Sequence, residues 1–244
     1  MITTSPVPLE RVAKISRFRS GVGHDYSDGV ERCRSMKHYL KFVGGEPGEA
    51  HDPSWTTVPI VSPLAGTVVS VQAEWAGDQI RIRSTVDARY TAVLFHVRRA
   101  VGVDGDVAVD VGSVLASGQA IGSHASDETM SDLAVEFDDP ATPQGRRLVS
   151  AFDGGVMGDA AFAAFAARGG AGGGAGGRAD RAALIIGREE RDADPLTCDG
   201  EAFAGEGRIA NWVVLAAPGG TASPQSRWRS VLPLLAVDGG RARR

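Results

Sequence analysis

Short apolar segments separated by turn residues recur between residues 58 and 137, and their spacing constrains the fold more than any other feature of the sequence. One segment alternates strictly, with two isoleucines on one face and two arginines on the other, which is typical of a half-buried strand. Another is apolar on both faces, which indicates a central strand. Five or more short strands are predicted, which include 67–72, 79–83, 90–97 and 132–137, and further short apolar pairs lie between Gly102 and Gly122. This pattern predicts a mainly β protein, an antiparallel sandwich or barrel whose first clear strands follow Trp55.

The overall composition excludes several classes of protein. The chain has 244 residues, of which 43% are hydrophobic and 23% charged, and these are ordinary globular values. A net charge of −4 gives no basic field, so nucleic acid is not an expected partner. No apolar run approaches the roughly 20 residues of a membrane span. The first ten residues do not resemble an export signal, so we expect a cell-envelope or secreted protein if a signal was trimmed and a cytoplasmic one otherwise.

Composition changes after residue 138, which predicts two regions. We expect a β domain over 14–138 and a C-terminal helical extension over 139–244. Within the extension, helices are predicted over 160–168 and from a cap at Asp180 to about Arg191. The nearly pure Gly and Ala tract at 169–177 lacks the Gly-Lys-Ser/Thr ending of a phosphate loop, so a flexible linker is predicted there.

Histidine and aspartate side chains are the candidates for a chemical site, and each has a structural alternative. His24 and Asp28 lie four residues apart in a Gly-flanked segment, where Asp25 and Asp28 could also form Asx turns. His96 lies in the predicted central strand, where a hydrogen-bonded core histidine is the alternative. Three further histidines are weaker candidates for the site. His124 could act as a substitute metal ligand from a loop, whereas His38 is interpreted as a helix-surface residue and His51 as a loop residue.

The order of these motifs resembles the lysostaphin-type murein endopeptidases, zinc metallopeptidases with the duplicated hybrid motif fold. The resemblance spans about residues 16 to 138 and begins with His24-x-x-x-Asp28. It continues through the entry Val58-Pro-Ile-Val-Ser-Pro-Leu-Ala-Gly66, Phe95-His96 and Gly105-Asp-Val. Gly118-Gln-Ala-Ile-Gly122 and the final segment Asp132-Leu-Ala-Val-Glu136 complete it. A biotin or lipoyl carrier has similar hairpins but needs a lysine in its turn, and no lysine follows residue 41.

The resemblance implies roles for particular residues. His24 and Asp28 would hold zinc, and His96 would orient or deprotonate the attacking water. The family's His-x-His pair falls on Asp132 and Ala134, so the third zinc ligand is replaced by an alanine. A catalytic zinc needs three protein ligands and an open position for water. Asp132 is therefore expected either as a catalytic carboxylate or as a substitute ligand, with zinc well below one equivalent per chain.

Two functional hypotheses follow from this departure. The first is a degenerate homologue that binds cell-wall peptide or glycan, or regulates a partner, without cleaving. The alternative is an active zinc metallopeptidase that hydrolyses peptidoglycan cross-bridges. In an oxidising compartment we also expect a disulfide between Cys33 and Cys198 that links the two regions, with two unpaired thiols as the alternative.

Overall fold

A computed structural model describes residues 1–44, 52–102, 108–168, 180–205 and 207–216. The strands are β1 (Val12–Ser16), β2 (His38–Phe42), β3 (Pro59–Val61), β4 (Gly66–Ala73), β5 (Asp78–Ser84), β6 (Tyr90–Arg99), β7 (Val114–Leu115), β8 (Ala120–His124), β9 (Ser131–Asp138), β10 (Arg146–Val149), β11 (Cys198–Asp199), β12 (Ala202–Phe203) and β13 (Trp212–Val214). The helices are α1 (Asp159–Ala167) and α2 (Arg188–Ala193), and short 3₁₀ turns cover Leu9–Arg11, Pro53–Thr57 and Ala182–Leu184.

In the described residues, eleven of these strands form one sheet in which every pairing is antiparallel. Its longest path runs β13-β1-β2-β9-β6-β5-β4-β7, with β10 beside β9 and with β8 pairing both β3 and β6. The sequence prediction of a mainly β, antiparallel protein is confirmed.

The centre of this sheet is the pair of strands β6 and β9. β6 lies between β5 and β9, and seven consecutive residues from Thr91 to Val97 are buried, as the apolar character of both faces predicted. Ile80 and Ile82 on β5 are completely buried in the larger core, so the predicted alternation is also confirmed.

The prediction that the first strands follow Trp55 is wrong, because β1 and β2 precede it. His38 is correspondingly not a helix-surface residue but opens β2, with 1% of its surface exposed. His38, Tyr39 and Leu40 are all buried, because β2 is covered on both faces beside β9. Burial on both faces removes the alternation of polar and apolar residues by which a strand is recognised in a sequence.

The region after residue 138 contributes to the main sheet as well as carrying helices. The helix predicted over 160–168 is present as α1, but the helix predicted from Asp180 to about Arg191 is wrong: Ala182–Leu184 is a 3₁₀ turn, Ile185 is extended because it bridges to Phe18, and α2 begins only at Arg188. β10 pairs with β9, and β13 pairs with β1 through partners such as Lys14 and Val214. The division into a domain at 14–138 and an extension at 139–244 therefore stays a prediction. The proposed linker at 169–177 lies outside the described residues. Among all the described residues, no helix is long and apolar enough to cross a membrane.

Candidate functional site

The segment from Arg17 to Met36 passes over the face of the sheet that carries the predicted site. We call it the covering segment. The C-terminal region holds it in place through backbone hydrogen bonds from Phe18 N to Leu184 O (2.9 Å) and from Asp25 N to Glu201 O (2.6 Å). A disulfide joins Cys33 of the covering segment to Cys198 of β11, so the pairing expected for an oxidising compartment is present.

Ala134, which stands where the resemblance places the third zinc ligand, is packed in an apolar cluster. The alanine is 1% exposed on β9. Its neighbours in this cluster come from the covering segment and from strands β6 and β10: Phe18, Met36, Val93, Phe95 and Leu148. Apolar side chains therefore occupy the space above this position in the sheet.

The predicted residues Asp132 and His24 meet at the ammonium group of Lys37. The Nζ atom of Lys37 donates to Asp132 Oδ2 at 2.6 Å and to His24 Nε2 at 3.3 Å. The Lys37 side chain is 2% exposed and that of Asp132 is completely buried. Asp132 Oδ1 has no hydrogen-bond partner in the part of the chain that is described. Among the described contacts, Lys37 therefore donates to one of the two oxygens of this buried carboxylate.

Three aromatic rings surround the same ammonium. The distances from Lys37 Nζ to the ring centroids are 4.3 Å for Phe95, 4.7 Å for Tyr39 and 5.0 Å for Tyr26. A cation within about 6 Å of a ring face is attracted by the ring quadrupole. Burial raises the pKa of Tyr26 to about 12 and that of Tyr39 further above its usual value, so both phenols stay neutral at pH 7. These rings, together with Lys37, Asp132 and His24, form the Lys37 cluster.

The backbone next to His24 is adapted to this packing. Gly23 has a φ of +74°, and a Cβ atom there would collide with the hydroxyl group of Tyr39. His24 Nδ1 lies 3.0 Å from the carbonyl oxygen of Asp25 and must donate to it, because a carbonyl only accepts. In the neutral imidazole, Nε2 is then the acceptor that faces Lys37.

Asp28, the other predicted zinc ligand, binds backbone groups instead. Its Oδ1 accepts from the N–H groups of Val30 (3.0 Å) and Glu31 (3.1 Å), and its Oδ2 accepts from that of Leu148 (2.9 Å). The carboxylate therefore closes an Asx turn and fixes the covering segment to β10. This is the turn role that the sequence also allowed.

His96 is directed toward the β4–β5 turn. Its Nδ1 lies 3.1 Å from Ala76 O and 3.5 Å from a carboxylate oxygen of Glu74. The ring of Trp75, which is 70% exposed, lies 5.6 Å away. His96 has a φ of +57°, a conformation that is costly for a residue other than glycine, at a register shift between β5 and β6. No hydrogen bond joins its ring to the Lys37 cluster among the described contacts.

The remaining histidines are buried or outside the described residues. His124 Nε2 binds the carbonyl oxygen of Thr129 at 2.9 Å, and burial lowers the pKa of this histidine. His38 is held between Ser16 O and the hydroxyl group of Ser150, each at 2.9 Å, and burial lowers its pKa to about 4. His51 lies outside the described residues.

The described side chains do not fit the zinc ion that the sequence resemblance implies. No group of three or more His, Cys, Asp or Glu residues within the described ranges is arranged to hold a metal. His24 Nε2 faces an ammonium group, both Asp28 oxygens accept backbone hydrogen bonds, and Ala134 offers no donor atom. We therefore derive no reaction step through a metal at this position.

Among the comparisons with known proteins, the search of solved structures found similar chains. A scan against protein-family models found no match, and a search of curated proteins found none either. A protein from Ruminococcus gnavus described as glycyl-glycine endopeptidase lytM is 14% identical, with a TM-score of 0.30 over 47% of this chain and 42% of the other. Lysostaphin is 13% identical, with a TM-score of 0.31 over 54% and 51% of the two chains.

A third similar structure is the SpoIIQ-SpoIIIAH pore forming complex, in which the matching chain is 14% identical. Its TM-score is 0.35, and the match covers 55% of this chain and 83% of the other. This chain spans about half the length of the first two solved structures that it matches.

The residue that sequence reasoning missed is Lys37. Basic charge in this sequence is almost entirely arginine, and only Lys14, Lys37 and Lys41 are lysines. The signal was available in the spacing, since Lys37 and Tyr39 are two residues apart and therefore share a face if the strand is extended. Without β2 in the predicted sheet, however, nothing placed that face opposite Asp132.

Proposed function

We propose that this chain is a peptidase-like protein that binds cell-wall peptide or glycan, or a partner protein, without hydrolysing peptide bonds by a zinc mechanism. The ligand class follows from the motif order that resembles the lysostaphin-type endopeptidases, and the observation that argues against zinc hydrolysis is the buried ammonium of Lys37 between Asp132 and His24. It places a cation belonging to the chain itself between two residues that the sequence resemblance assigned to the catalytic centre.

Electrostatics supports this proposal. A dication bound to His24 or Asp132 would lie close to the Lys37 ammonium, which contacts both residues. At an effective dielectric constant of about 20, a double and a single charge about 4 Å apart repel by about 8 kcal/mol. Metal binding would therefore require the lysine to leave the site or lose its proton. Three aromatic rings and a 2.6 Å contact to Asp132 oppose such a movement.

Packing supports it independently. Water and a scissile carbonyl need an open position next to a catalytic metal. In this chain the position above Ala134 is filled by apolar side chains, and the covering segment is fixed by a disulfide and by backbone hydrogen bonds. The active zinc metallopeptidase suggested as the alternative would have to displace this covering segment before a substrate could approach.

Insoluble peptidoglycan provides a test of both hypotheses. We expect the oxidised full chain to sediment with peptidoglycan and to release no soluble fragments, whether zinc or a chelator is added. His24→Ala serves as the matched variant and should sediment equally well. Release of fragments that a chelator and His24→Ala both abolish would contradict the proposal in favour of the active enzyme. Failure to sediment would contradict the cell-wall ligand.

A further inference from the structure

A small pocket lies on the same face of the sheet as the Lys37 cluster. It has a volume of about 210 Å³, and Tyr26 of the cluster forms part of its wall. Charged side chains from three strands point into it: Arg81 from β5, Glu136 from β9 and Arg146 from β10. The sequence resemblance includes Glu136 in its final segment but assigns it no role, and it assigns none to the two arginines.

Strand register explains why these charges converge. Leu148 of β10 is opposite Glu136, so Arg146, two residues along the strand, lies diagonal to it on the same face. Arg81 approaches from the other side, across β6, where Val93 is its partner. The Glu136 carboxylate, whose side chain is 10% exposed, is thus bracketed by two guanidinium groups.

The bonding capacity of these groups is only partly used. Both guanidinium groups approach the same oxygen, Glu136 Oε1, at 3.4 Å from Arg81 and 3.5 Å from Arg146. Charge-assisted hydrogen bonds are normally about 2.7–2.9 Å long. Arg81 Nε is buried and has no partner in the described residues. The Arg81 side chain, 19% exposed, also donates to Gln72 at 3.3 Å, and the Arg146 side chain is 53% exposed. The long contacts to Glu136 leave both guanidinium groups able to donate to a ligand in the pocket.

The charge and size of the pocket indicate what kind of ligand would fit. Arg81 and Arg146 are balanced by Glu136 and by Asp28, whose oxygens are already used by backbone N–H groups. A neutral pocket with both signs of charge is complementary to a zwitterion. Its volume is below the roughly 300–1,000 Å³ of sites for drug-sized ligands, so it suits one or two small residues.

We propose that this pocket binds the zwitterion of a short peptide, with the carboxylate on Arg81 and Arg146 and the ammonium on Glu136. The inference deepens the peptide-binding function proposed above, because it names the chemical groups that are recognised. Tyr26 connects the two sites, since its ring contacts both the pocket and the Lys37 ammonium.

Capped dipeptides test the proposal. We would titrate the oxidised full chain with Ala-Ala, N-acetyl-Ala-Ala and Ala-Ala-amide, and follow binding by calorimetry or by amide chemical shifts. Ala-Ala is expected to bind, and removal of either terminal charge should weaken binding at least about tenfold, because a charge-assisted contact in the pocket is lost. Binding should also weaken with added salt.

Two neighbouring arginines on β10 provide the variant and its control. Arg146 and Arg147 have side chains that are equally exposed, at 53%, but only Arg146 lines the pocket. Arg146→Gln should weaken Ala-Ala binding at least about tenfold, whereas Arg147→Gln should leave it within about twofold. Because both side chains are exposed, we expect the melting temperature of both variants to remain close to that of the parent chain.

Three outcomes would overturn the proposal: no binding of Ala-Ala at about 10 mM, equal binding of the three dipeptides, or an equal loss in the two arginine variants. None of these measurements depends on metal. Failure of the pocket proposal is therefore distinguishable from failure of the proposed function, which is decided by fragment release and by zinc content.

Discussion

The buried ion pair between Lys37 and Asp132 permits a quantitative prediction. Lys37→Met keeps most of the side-chain volume and removes the charge, while Asp132→Asn keeps the shape and removes the opposite charge. Each single substitution leaves the other group buried with its partner lost. In the Lys37→Met variant neither oxygen of Asp132 would have a hydrogen-bond donor in the described structure.

The magnitude follows from geometry and burial. At 2.6 Å and an effective dielectric constant of about 20, the gross attraction within the pair is about 6 kcal/mol. Desolvation of two groups that are 2% and 0% exposed offsets much of this attraction in the folded protein. Removal of one partner leaves the desolvation uncompensated. We therefore expect each single variant to lower the free energy of unfolding by about 3–5 kcal/mol.

The double variant separates pairing from the cost of burial. In Lys37→Met/Asp132→Asn no buried charge is left unpaired, so the loss should be smaller than the sum of the two single losses by about 2–3 kcal/mol. Denaturant unfolding of the four proteins at pH 7, under oxidising conditions, gives this coupling energy directly. Lys41→Met, on the half-buried lysine of β2, is the matched control and should change stability by less than about 1 kcal/mol.

The reasoning would be refuted by single variants that each cost less than about 1 kcal/mol, or by a coupling energy near zero. Either result would mean that the ammonium and the carboxylate do not form a buried pair in solution. The argument against a metal at this position would then lose its electrostatic basis.

Three further predictions concern the framework of the site. Burial lowers the pKa of His38 from 6.5 to about 4, so between these pH values the unfolded chain binds a proton at His38 that the folded chain does not. The free energy of unfolding should therefore fall by up to about 3 kcal/mol as the pH drops from 6.5 to 4. Denaturant unfolding of His38→Gln should show a flatter dependence on pH. Gly23→Ala should reduce the melting temperature more than Gly118→Ala, because both positions have positive φ but only the first lacks space for a Cβ atom; equal effects would contradict this. Reduction of the Cys33–Cys198 disulfide, which spans 165 residues, should cost about 2–5 kcal/mol in unfolding free energy, and an unchanged denaturation midpoint would refute that expectation.

Much of the fold could be predicted from the sequence because its central strands follow simple patterns. The alternation around Ile80 corresponds to a strand with one buried face, and the apolar run before His96 corresponds to a strand that is buried on both faces. β2 could not be recognised in this way, because residues on both of its faces are buried and polar side chains such as His38 are satisfied by hydrogen bonds. Its position depends on pairing with β9, which is distant in sequence.

The candidate site was predictable only in part. The motif order singled out His24 and Asp132, and the structure brings both to the same ammonium group. Asp28 has the same spacing from His24 as a zinc ligand would have, but spacing does not reveal that backbone N–H groups use both of its oxygens. Lys37 was missed because its role depends on burial and on three rings that come together only in the folded chain.

The zinc content of the purified protein tests the central claim most directly. The full chain would be purified without chelator and without a nickel-binding tag, and its zinc measured per chain alongside His24→Ala. Because the Lys37 ammonium lies against Asp132 and His24, the account predicts zinc well below one equivalent in both proteins. One tightly held equivalent in the parent chain, lost in His24→Ala, would contradict it.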